Sequence, residues 1–375
     1  MVLGFEALGL KAELHPAASC ASVRRVKLRF WRVGLKLAHP WRIARNVDGP
    51  AITTYPVVFV ELHSPDGRIG RGEAAPSERY DETADTVEAC MRWVDPRRFS
   101  FDNLDESLSW LSELPSGNEA ARAALDVALV DGAARTAGKP IYDYFRLGFT
   151  EGKHLTSFSI GIDTPEMIQR KVQAAAVFPV LKLKVGSPHD LDNLAALRQV
   201  APDKPVRLDA NEAWKTKEEA LRHIEALHRF GPIQFIEQPL PASAPPEDMA
   251  WLKARSPLPL FADESYQTAR DVDRCAQGFH GVNVKLVKAG GLTRAYDALQ
   301  AARRAGLKTM IGCMIESSLL ITAAAHLAEL ADYLDLDGNL LITNDPFVGV
   351  RTERGVLSFK DAPEPTGLRV SPRPQ

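Results

Sequence analysis

Two lysines stand on alternate positions of an apolar, β-prone run at residues 181–186. Residues two apart share a face of a strand, so the ammonium groups of Lys182 and Lys184 would point the same way. In a strand that belongs to a closed barrel, that direction can be inward. Because buried lysines are rare unless acids pair with them, this run predicts a site that also contains carboxylates.

Acids end the next three β-like runs, as Asp209, Glu237 and Asp263. If these runs are neighbouring strands, the carboxylates converge and would repel one another unless a cation lies among them. Oxygen ligands without histidine or cysteine favour Mg²⁺ over zinc. We therefore predict that the three acids bind Mg²⁺, with Asn211 and Glu264 as polar residues behind them. The alternative for Asp263 is a helix N-cap.

Two lysines, Lys184 on the second β-like run and Lys285 on the sixth, would face each other across the mouth of an eight-stranded ring. A lysine near a divalent cation has its charged form disfavoured, so its pKa falls toward the range of a general base. The pair suits removal of a proton from a carbon next to a metal-bound carboxylate, with Mg²⁺ stabilising the enediolate. Reprotonation by the opposite lysine would invert the stereocentre.

The elements that would position these residues alternate regularly from about residue 155. Eight strands with intervening helices favour a (β/α)₈ barrel over a doubly wound sheet, which would show fewer strands and a glycine fingerprint after its first strand. Active sites of such barrels lie at the C-terminal ends of the strands. The predicted strands are residues 155–160, 180–185, 206–210, 233–237, 258–263, 282–287, 309–314 and 333–336, and the predicted helices are 190–200, 217–229, 269–277, 295–305 and 317–329.

The remaining chain predicts an α+β unit. We expect this N-terminal unit at residues 1–137, with residues 1–22 as a loose extension, the barrel at 138–347, and the segment 348–375 packed back on the N-terminal unit. Within this unit, the sequence predicts a meander of three short strands, a loop at 39–46, and three helices of which the last has Asn118 as its N-cap. These strands are residues 23–30, 33–37 and 55–62, and the helices are 83–94, 104–114 and 118–136.

Composition excludes several classes of partner. The net charge of −2 and the lack of a basic stripe give no reason to expect nucleic acid or an anionic membrane. No window approaches the roughly 20 apolar residues of a membrane span. Four scattered cysteines without a CxxC pair fit a reducing compartment. We expect a soluble, cytoplasmic protein.

The lysine pair on the second strand, the acids on the third to fifth and the lysine on the sixth resemble the enolase superfamily and its muconate-lactonizing subgroup. The resemblance extends from about residue 23 to the C-terminal segment, and it implies an enolase-like modified barrel with the N-terminal unit as a capping domain that the C-terminal segment completes. It implies that Lys184 and Lys285 are the acid/base pair. It further implies that Lys182 assists electrostatically near the substrate carboxylate.

A finer resemblance is to dipeptide epimerases. Residues 311–318, which contain Met314 and Glu316, are similar to the Gly-x-Met-x-Glu-Ser run of that group. Asp335 and Asp337 resemble its Asp-x-Asp motif, which implies binding of the ammonium group of the dipeptide, and two inward carboxylates suit a fixed cation. The alternatives with a purely structural role are a turn before Gly338 for the two aspartates and a helix start for Glu316.

The loop at residues 39–48 would set the side-chain specificity in this family. Arg42 and Arg45 could receive an acidic side chain, as in Ala-Glu epimerases, although Asn46 departs from the expected arrangement. The alternative is that either arginine is simply solvated.

The sequence predicts a Mg²⁺-dependent dipeptide epimerase that inverts the α-carbon of the C-terminal residue. The alternatives with the same machinery are an N-acylamino acid racemase, an o-succinylbenzoate synthase and a muconate cycloisomerase. An alternative of another class is a barrel that binds a small anion without turnover. The expected partner is a small-molecule substrate, a dipeptide or an N-acylamino acid carboxylate, and we expect a homo-oligomer because barrels of this family often assemble.

Overall fold

The computed structural model describes residues 26–374. The predicted loose extension at residues 1–22, and Cys20 within it, lie outside the described residues. In the described part of the chain, no helix is long and apolar enough to span a membrane.

The N-terminal unit contains a three-stranded antiparallel sheet in the order β1-β2-β3, with β1 at Lys27–Trp41, β2 at Ile52–His63 and β3 at Ile69–Ala74. The prediction of separate strands at 23–30 and 33–37 was wrong, because one strand continues through Gly34, which pairs with Pro56. The predicted loop at 39–46 therefore begins inside β1, and only the 3-10 helix Ala44–Asn46 and its neighbours leave the strand.

Strand β3 was missed by the sequence analysis because its glycines hide the strand pattern. A Cβ on Gly70 would lie 2.0 Å from the carbonyl oxygen of Ala128, and one on Gly72 would lie 1.9 Å from that of Ala124. The glycines therefore allow a helix to pack directly on the strand backbone. That helix is α3 (Glu119–Thr136), which follows α1 (Ala84–Trp93) and α2 (Leu104–Ser112) and precedes the short α4 (Ile141–Tyr144).

The start of α3 differs in detail from the prediction. Asn118 occupies the N-cap position, but its side chain makes no capping bond and instead donates to the carbonyl oxygens of Pro115 and Ser116. The carboxylate of Glu82 accepts the bond from the amide of Ala120 at 3.1 Å. A helix N-terminus needs such an acceptor, and here a residue distant in sequence provides it.

The barrel consists of eight parallel strands, β4 to β11, which are neighbours in chain order. A bridge between Thr156 and Leu334 and a 3.1 Å bond from the amide of Ser157 to the carbonyl of Leu334 connect the first strand to the last. This arrangement confirms the predicted (β/α)₈ fold with its capping unit. The strands are Phe158–Ile160, Leu181–Lys184, Val206–Asp209, Ile233–Glu237, Leu260–Ala262, Gly281–Val284, Lys308–Gly312 and Tyr333–Asp335.

Helices surround the barrel, and three of them were missed by the sequence analysis. The helix at Pro165–Ala174 is rich in polar residues, but Thr164 followed by proline at the first helical position is a start signal that could have revealed it. The other two missed helices are Pro246–Lys253 and Leu286–Ala289, the second of which begins within the predicted strand 282–287. In chain order α5 to α12 are Pro165–Ala174, Asp190–Val200, Lys217–His228, Pro246–Lys253, Val272–Gly278, Leu286–Ala289, Leu292–Arg304 and Ser318–Ala325.

The C-terminal segment forms two pairs of short strands, β12 (Phe347–Val348) with β15 (Ser371–Pro372), and β13 (Arg351–Glu353) with β14 (Val356–Ser358). The amide of Leu368 donates to Asp131 of α3 at 2.7 Å. One hydrophobic core runs through the barrel and into the N-terminal unit, and a second core lies between the three-stranded sheet and its helices. The proposed domain boundaries stay predictions.

Candidate active site

Three buried carboxylates lie together at the C-terminal ends of β6, β7 and β8. Asp209, Glu237 and Asp263 each offer an oxygen such that all three lie within 4.8 Å of one another. Within residues 26–374, Oε2 of Glu237 accepts no hydrogen bond, although Lys182 Nζ approaches it at 2.8 Å. A buried cluster that consists of three carboxylates fits Mg²⁺, which prefers oxygen ligands.

Strand register and nearby amides orient these acids. Asp209 stands beside Glu237 in the pairing of β6 with β7, so their side chains emerge at one level. Oε1 of Gln238 accepts from the amide of Asp263 at 3.0 Å, and the side-chain amide of Asn283 donates to Oε1 of Glu237 at 2.7 Å. Each acid is thus fixed by the end of its own strand and by a neighbouring strand.

The charges of the triad perturb its own pKa values. Burial, followed by repulsion from Asp209, raises the pKa of Glu237 to about 7. Burial alone would raise the pKa of Asp209 too, but the ammonium groups of Lys182 and Lys184 outweigh it and hold that pKa below its usual range. Additional positive charge among the three acids would therefore favour the ionised form of Glu237 at neutral pH.

Lys184 and Lys285 approach the triad from different sides. Lys184 Nζ lies 2.6 Å from Asp209 Oδ2, and Lys285 Nζ lies 2.9 Å from Asp263 Oδ2. Their elements, β5 and the end of β9, stand four places apart in the ring of eight strands. Lys285 is the N-cap residue of the short helix α10 rather than part of the strand.

The protein groups around Lys285 do not depress its pKa. Burial lowers the pKa of Lys285, but the charges of Asp263 and Glu237 outweigh burial and hold it above its ordinary value. A general base needs a lower pKa than this. The lowering of the Lys285 pKa would therefore have to come from a cation held by Asp263 and Glu237.

Lys182 lies deeper in the barrel and is bound by acids of three strands. Its ammonium group lies 3.0 Å from Asp209, 2.8 Å from Glu237 and 2.8 Å from Asp335, and the residue is 1% exposed. Burial opposes the charge, but the three acids outweigh it and raise the pKa of Lys182 well above 10.5. Lys182 is thus a fixed positive charge at the floor of the site.

The two aspartates at the end of β11 are both buried, but they have different partners. Asp335 Oδ1 accepts from Ser157 Oγ at 2.7 Å, whereas Asp337 Oδ2 accepts from the amide of Ser159 at 2.5 Å. Burial, followed by repulsion from Asp335, raises the pKa of Asp337 to about 7. Asp337 also precedes the 3-10 helix Gly338–Leu340, so the turn that was weighed as an alternative is present as well.

The segment between β10 and α12 places Met314 and Glu316 beside Lys285. Met314 Sδ lies 4.0 Å from Lys285 Nζ, and Glu316 Oε1 accepts from the amide of Met314 at 2.9 Å. Burial raises the pKa of Glu316 to about 8. Ser317 accepts from the amide of Leu319 as the N-cap of α12. The helix start that was weighed as an alternative is therefore present, and the same segment also lies at the site.

The loop of the N-terminal unit brings its two arginines into different surroundings. Arg45 Nη1 lies 2.5 Å from Glu264 and 3.2 Å from Glu212, so its charge is already paired with two acids of the barrel. Among the residues that the structure describes, the side chain of Arg42 has no carboxylate partner within 4.0 Å. Asn211, in a left-handed conformation with φ of 43°, donates its backbone N–H to Asp209 Oδ1 at 3.0 Å.

Sequence reasoning assigned no role to two residues that support the triad. Lys288 is buried one helical turn after Lys285, and its ammonium group donates to Asp263 Oδ1 at 2.5 Å and to the carbonyl of Asn283 at 3.0 Å. The spacing of three from Lys285 was a signal for Lys288. No signal pointed to Asn283, because a single asparagine in an apolar run has many uses.

Comparisons with known proteins agree with this geometry. The chain matches the N-terminal domain model of mandelate racemase / muconate lactonizing enzyme over residues 25–145 and the enolase C-terminal domain-like model over residues 166–351. It is 60% identical to an L-Ala-D/L-amino acid epimerase from Pedosphaera parvula, over 92% of this chain and 99% of that protein.

Two solved structures are similar over almost the whole chain. The L-Ala-D/L-Glu epimerase from Bacillus subtilis, in a substrate-liganded complex, has a TM-score of 0.84 and 28% identity, over 92% of this chain and 98% of that one. The dipeptide epimerase from Enterococcus faecalis V583, complexed with Mg and the dipeptide L-Leu-L-Tyr, has a TM-score of 0.81 and 29% identity, over 93% and 99%.

Proposed function

The chain belongs to the mandelate racemase / muconate lactonizing enzyme family of the enolase superfamily, and we propose that it is a Mg²⁺-dependent dipeptide epimerase. The observation that carries this proposal is the placement of Lys184 and Lys285 on different sides of one buried acidic triad. Two bases so placed can remove a proton from one face of a carbon and return one to the other.

We propose that Asp209, Glu237 and Asp263 hold the Mg²⁺. When bound, Mg²⁺ would neutralise the substrate carboxylate and stabilise the negative charge that develops beside it. Asn283 and Lys288 keep the carboxylates of Glu237 and Asp263 in place through the bonds described above. Lys182 adds a buried positive charge near the substrate carboxylate.

In the reaction, one lysine takes the α-proton of the C-terminal residue and the opposite lysine delivers a proton to the other face. The accepting lysine must begin neutral and the donating lysine charged, and the two exchange these states in each turnover. Met314 and Glu316 wall this space on the side of Lys285. The net result is inversion of one stereocentre without a change in composition.

We propose that Asp335 and Asp337 select dipeptides over N-acylamino acids. Both carboxylates are buried at the end of β11; Asp335 already pairs with Lys182, so a free ammonium group would give Asp337 a charged partner and add a second one to Asp335. The substrates of an N-acylamino acid racemase, an o-succinylbenzoate synthase or a muconate cycloisomerase carry no such ammonium group. Arg42, which has no carboxylate partner in the described chain, is our candidate for receiving an acidic side chain, and Arg45 is tied to Glu264.

The test is a mass-shift screen of dipeptides and N-acylamino acids with Mg²⁺ in deuterated water. We expect L,L-dipeptides to gain one deuterium at the α-carbon of the C-terminal residue and to epimerise. Lys184→Ala and Lys285→Ala should abolish epimerisation. Exchange of N-acylamino acids alone would favour the racemase alternative, and no exchange with any compound would contradict the proposal.

We also propose a cytoplasmic homo-oligomer. The thiols of Cys90 and Cys275 are free and buried, which suits a reducing compartment. Light scattering coupled to size exclusion would give the oligomeric state, and cell fractionation would give the location.

A further inference from the structure

Glu73 of β3 points from the N-terminal unit toward the barrel. Gly70 and Gly72 face α3, as described above, and the strand period of two therefore turns Glu73 to the opposite side of the sheet. Glu73 is fully buried, and it stands beside Phe59 of β2, whose ring centroid lies 5.0 Å from that of Phe347 of the C-terminal segment. This face of the sheet is thus the one that packs on the rest of the molecule.

The carboxylate of Glu73 caps a helix of the barrel. Oε1 accepts from the amide of Ser317 at 2.9 Å, and Oε2 accepts from Ser317 Oγ at 2.6 Å and from the amide of Leu320 at 3.3 Å. These are donors of the first turn of α12, where a negative charge is stabilised. Asp345 accepts from the next residue, Ser318, but Glu73 comes from the N-terminal unit.

The segment that Glu73 anchors leads directly to the site. Residues 313–317 connect the end of β10 to α12, and they carry Met314, which lies 4.0 Å from Lys285 through its sulfur. Glu316 of the same segment bonds back to the amide of Met314. A shift at the start of α12 therefore moves the wall of the space in which Lys285 transfers its proton.

We propose that Glu73 is a positioning residue that, from the capping unit, fixes the segment 313–317 against Lys285. This inference rests on the proposed function. Glutamine at position 73 would keep one acceptor oxygen but would place a donating NH₂ group among three buried donors, so at least one of them would lose its acceptor and the segment would relax to regain partners. Misplacement of a reacting group by about 1 Å costs up to about 100-fold in rate.

The chain offers a matched control in Glu82. Its carboxylate is 4% exposed and caps α3 through the amide of Ala120, entirely within the N-terminal unit. Burial is the main cause that raises the pKa of Glu73 and of Glu82 to about 7 in each case. Glu82→Gln should therefore disturb stability as Glu73→Gln does, but without moving the barrel segment.

The experiment compares the wild type, Glu73→Gln and Glu82→Gln with one L,L-dipeptide and its epimer in deuterated water. We expect Glu73→Gln to lower kcat for epimerisation about tenfold or more, with KM changed less than about threefold. We expect Glu82→Gln to keep kcat within about twofold. In Glu73→Gln, exchange without inversion should persist for the epimer whose α-hydrogen faces Lys184, because that lysine keeps its place.

If Glu73→Gln shows the same kcat and exchange pattern as Glu82→Gln, this inference is overturned and the proposed function still stands. Absence of exchange in the wild type would overturn the proposed function, and this inference with it. If Glu73→Gln does not fold, Glu73→Asp keeps the charge but shortens the side chain by one methylene, which withdraws the carboxylate from the amides of Ser317 and Leu320. A folded Glu73→Asp with unchanged kcat and symmetric exchange would equally overturn the inference.

Discussion

Lys182 Nζ lies 2.8 Å from Asp335 Oδ2, an ion pair between residues 153 positions apart in the chain. The pair joins β5 to β11 at the floor of the barrel. The two acids of the Asp-x-Asp motif therefore differ in their partners. Asp335 already forms an ion pair with Lys182, whereas Asp337 accepts mainly from the amide of Ser159. Asp337 is therefore the carboxylate with more capacity for a substrate ammonium group.

We predict different kinetic effects for the two aspartates. Asp337→Asn should raise KM for a dipeptide about tenfold or more and leave KM for an N-acetylamino acid nearly unchanged, because only the dipeptide has an ammonium group. Asp335→Asn should lower kcat for both compounds, because the charge of Lys182 loses a partner. Steady-state kinetics on the two compounds measure this, and identical effects of both variants would contradict the division.

We predict that Asn283→Ala weakens Mg²⁺ binding about 10- to 100-fold, because its amide orients Glu237 and such outer contacts govern metal affinity. Isothermal titration with Mg²⁺ measures the change without substrate. Gly312→Ala should act in the same direction, since a Cβ there would lie 2.6 Å from Asn283 Oδ1.

Asn193→Ala is the control for this effect. Asn193 is also buried, but it lies on α6 and both polar atoms of its side chain lack a partner within residues 26–374. We expect its Mg²⁺ affinity to equal that of the wild type. An Asn283→Ala protein with wild-type affinity would show that the register of β7 alone orients Glu237.

The sequence predicts the acids and lysines of the site because their positions follow from one regular pattern. In a barrel whose strands pair in chain order, a residue at the end of a strand has a known place in the ring, so Asp209, Glu237 and Lys184 could be brought together without coordinates. The exception is Lys285, which was assigned to a strand but begins α10. An apolar run cannot show where a strand ends and a short helix begins.

The contacts between the two units could not be predicted, because no local pattern encodes them. Glu73 and Ser317 are 244 positions apart, and their bond exists only when β3 lies against the barrel. The pairing of Arg45 with Glu264 depends on the same docking. Strand β3 itself was hidden by the glycines that its packing against α3 requires.

We predict that Arg45 does not select acidic dipeptides, because its charge is shared by Glu264 and Glu212. Arg45→Gln should change the ratio of kcat/KM for L-Ala-L-Glu to that for L-Ala-L-Leu less than about threefold, although both values fall. Arg42→Gln should lower the ratio about tenfold, a loss of about 1.4 kcal/mol of selective binding. Competition assays with the two dipeptides give the ratio directly, and a selective loss in Arg45→Gln would reverse the assignment.

The raised pKa values of buried acids near α12 predict a stability that falls as the pH rises. Burial raises the pKa of Glu316 to about 8 and that of Glu73 to about 7, from 4.5 in each case. Between the unfolded and folded values, the folded state holds protons that the unfolded state has released. The free energy of unfolding therefore decreases from about pH 5 to about pH 8 through these groups. His326 acts in the opposite sense but only below about pH 6.5, because burial lowers its pKa to about 3.

Glu316→Gln isolates this effect between pH 6.5 and 9. Glutamine keeps the acceptor for the amide of Met314 but cannot ionise. The free energy of unfolding of the wild type should fall relative to that of the variant by about 2 kcal/mol across this range, since about 1.5 pH units lie below a pKa of 8. Urea unfolding followed by circular dichroism, with EDTA present at every pH, measures both curves. Parallel curves would mean that Glu316 ionises in the folded protein as it does in water. That result would contradict the raised pKa that the burial of Glu316 predicts.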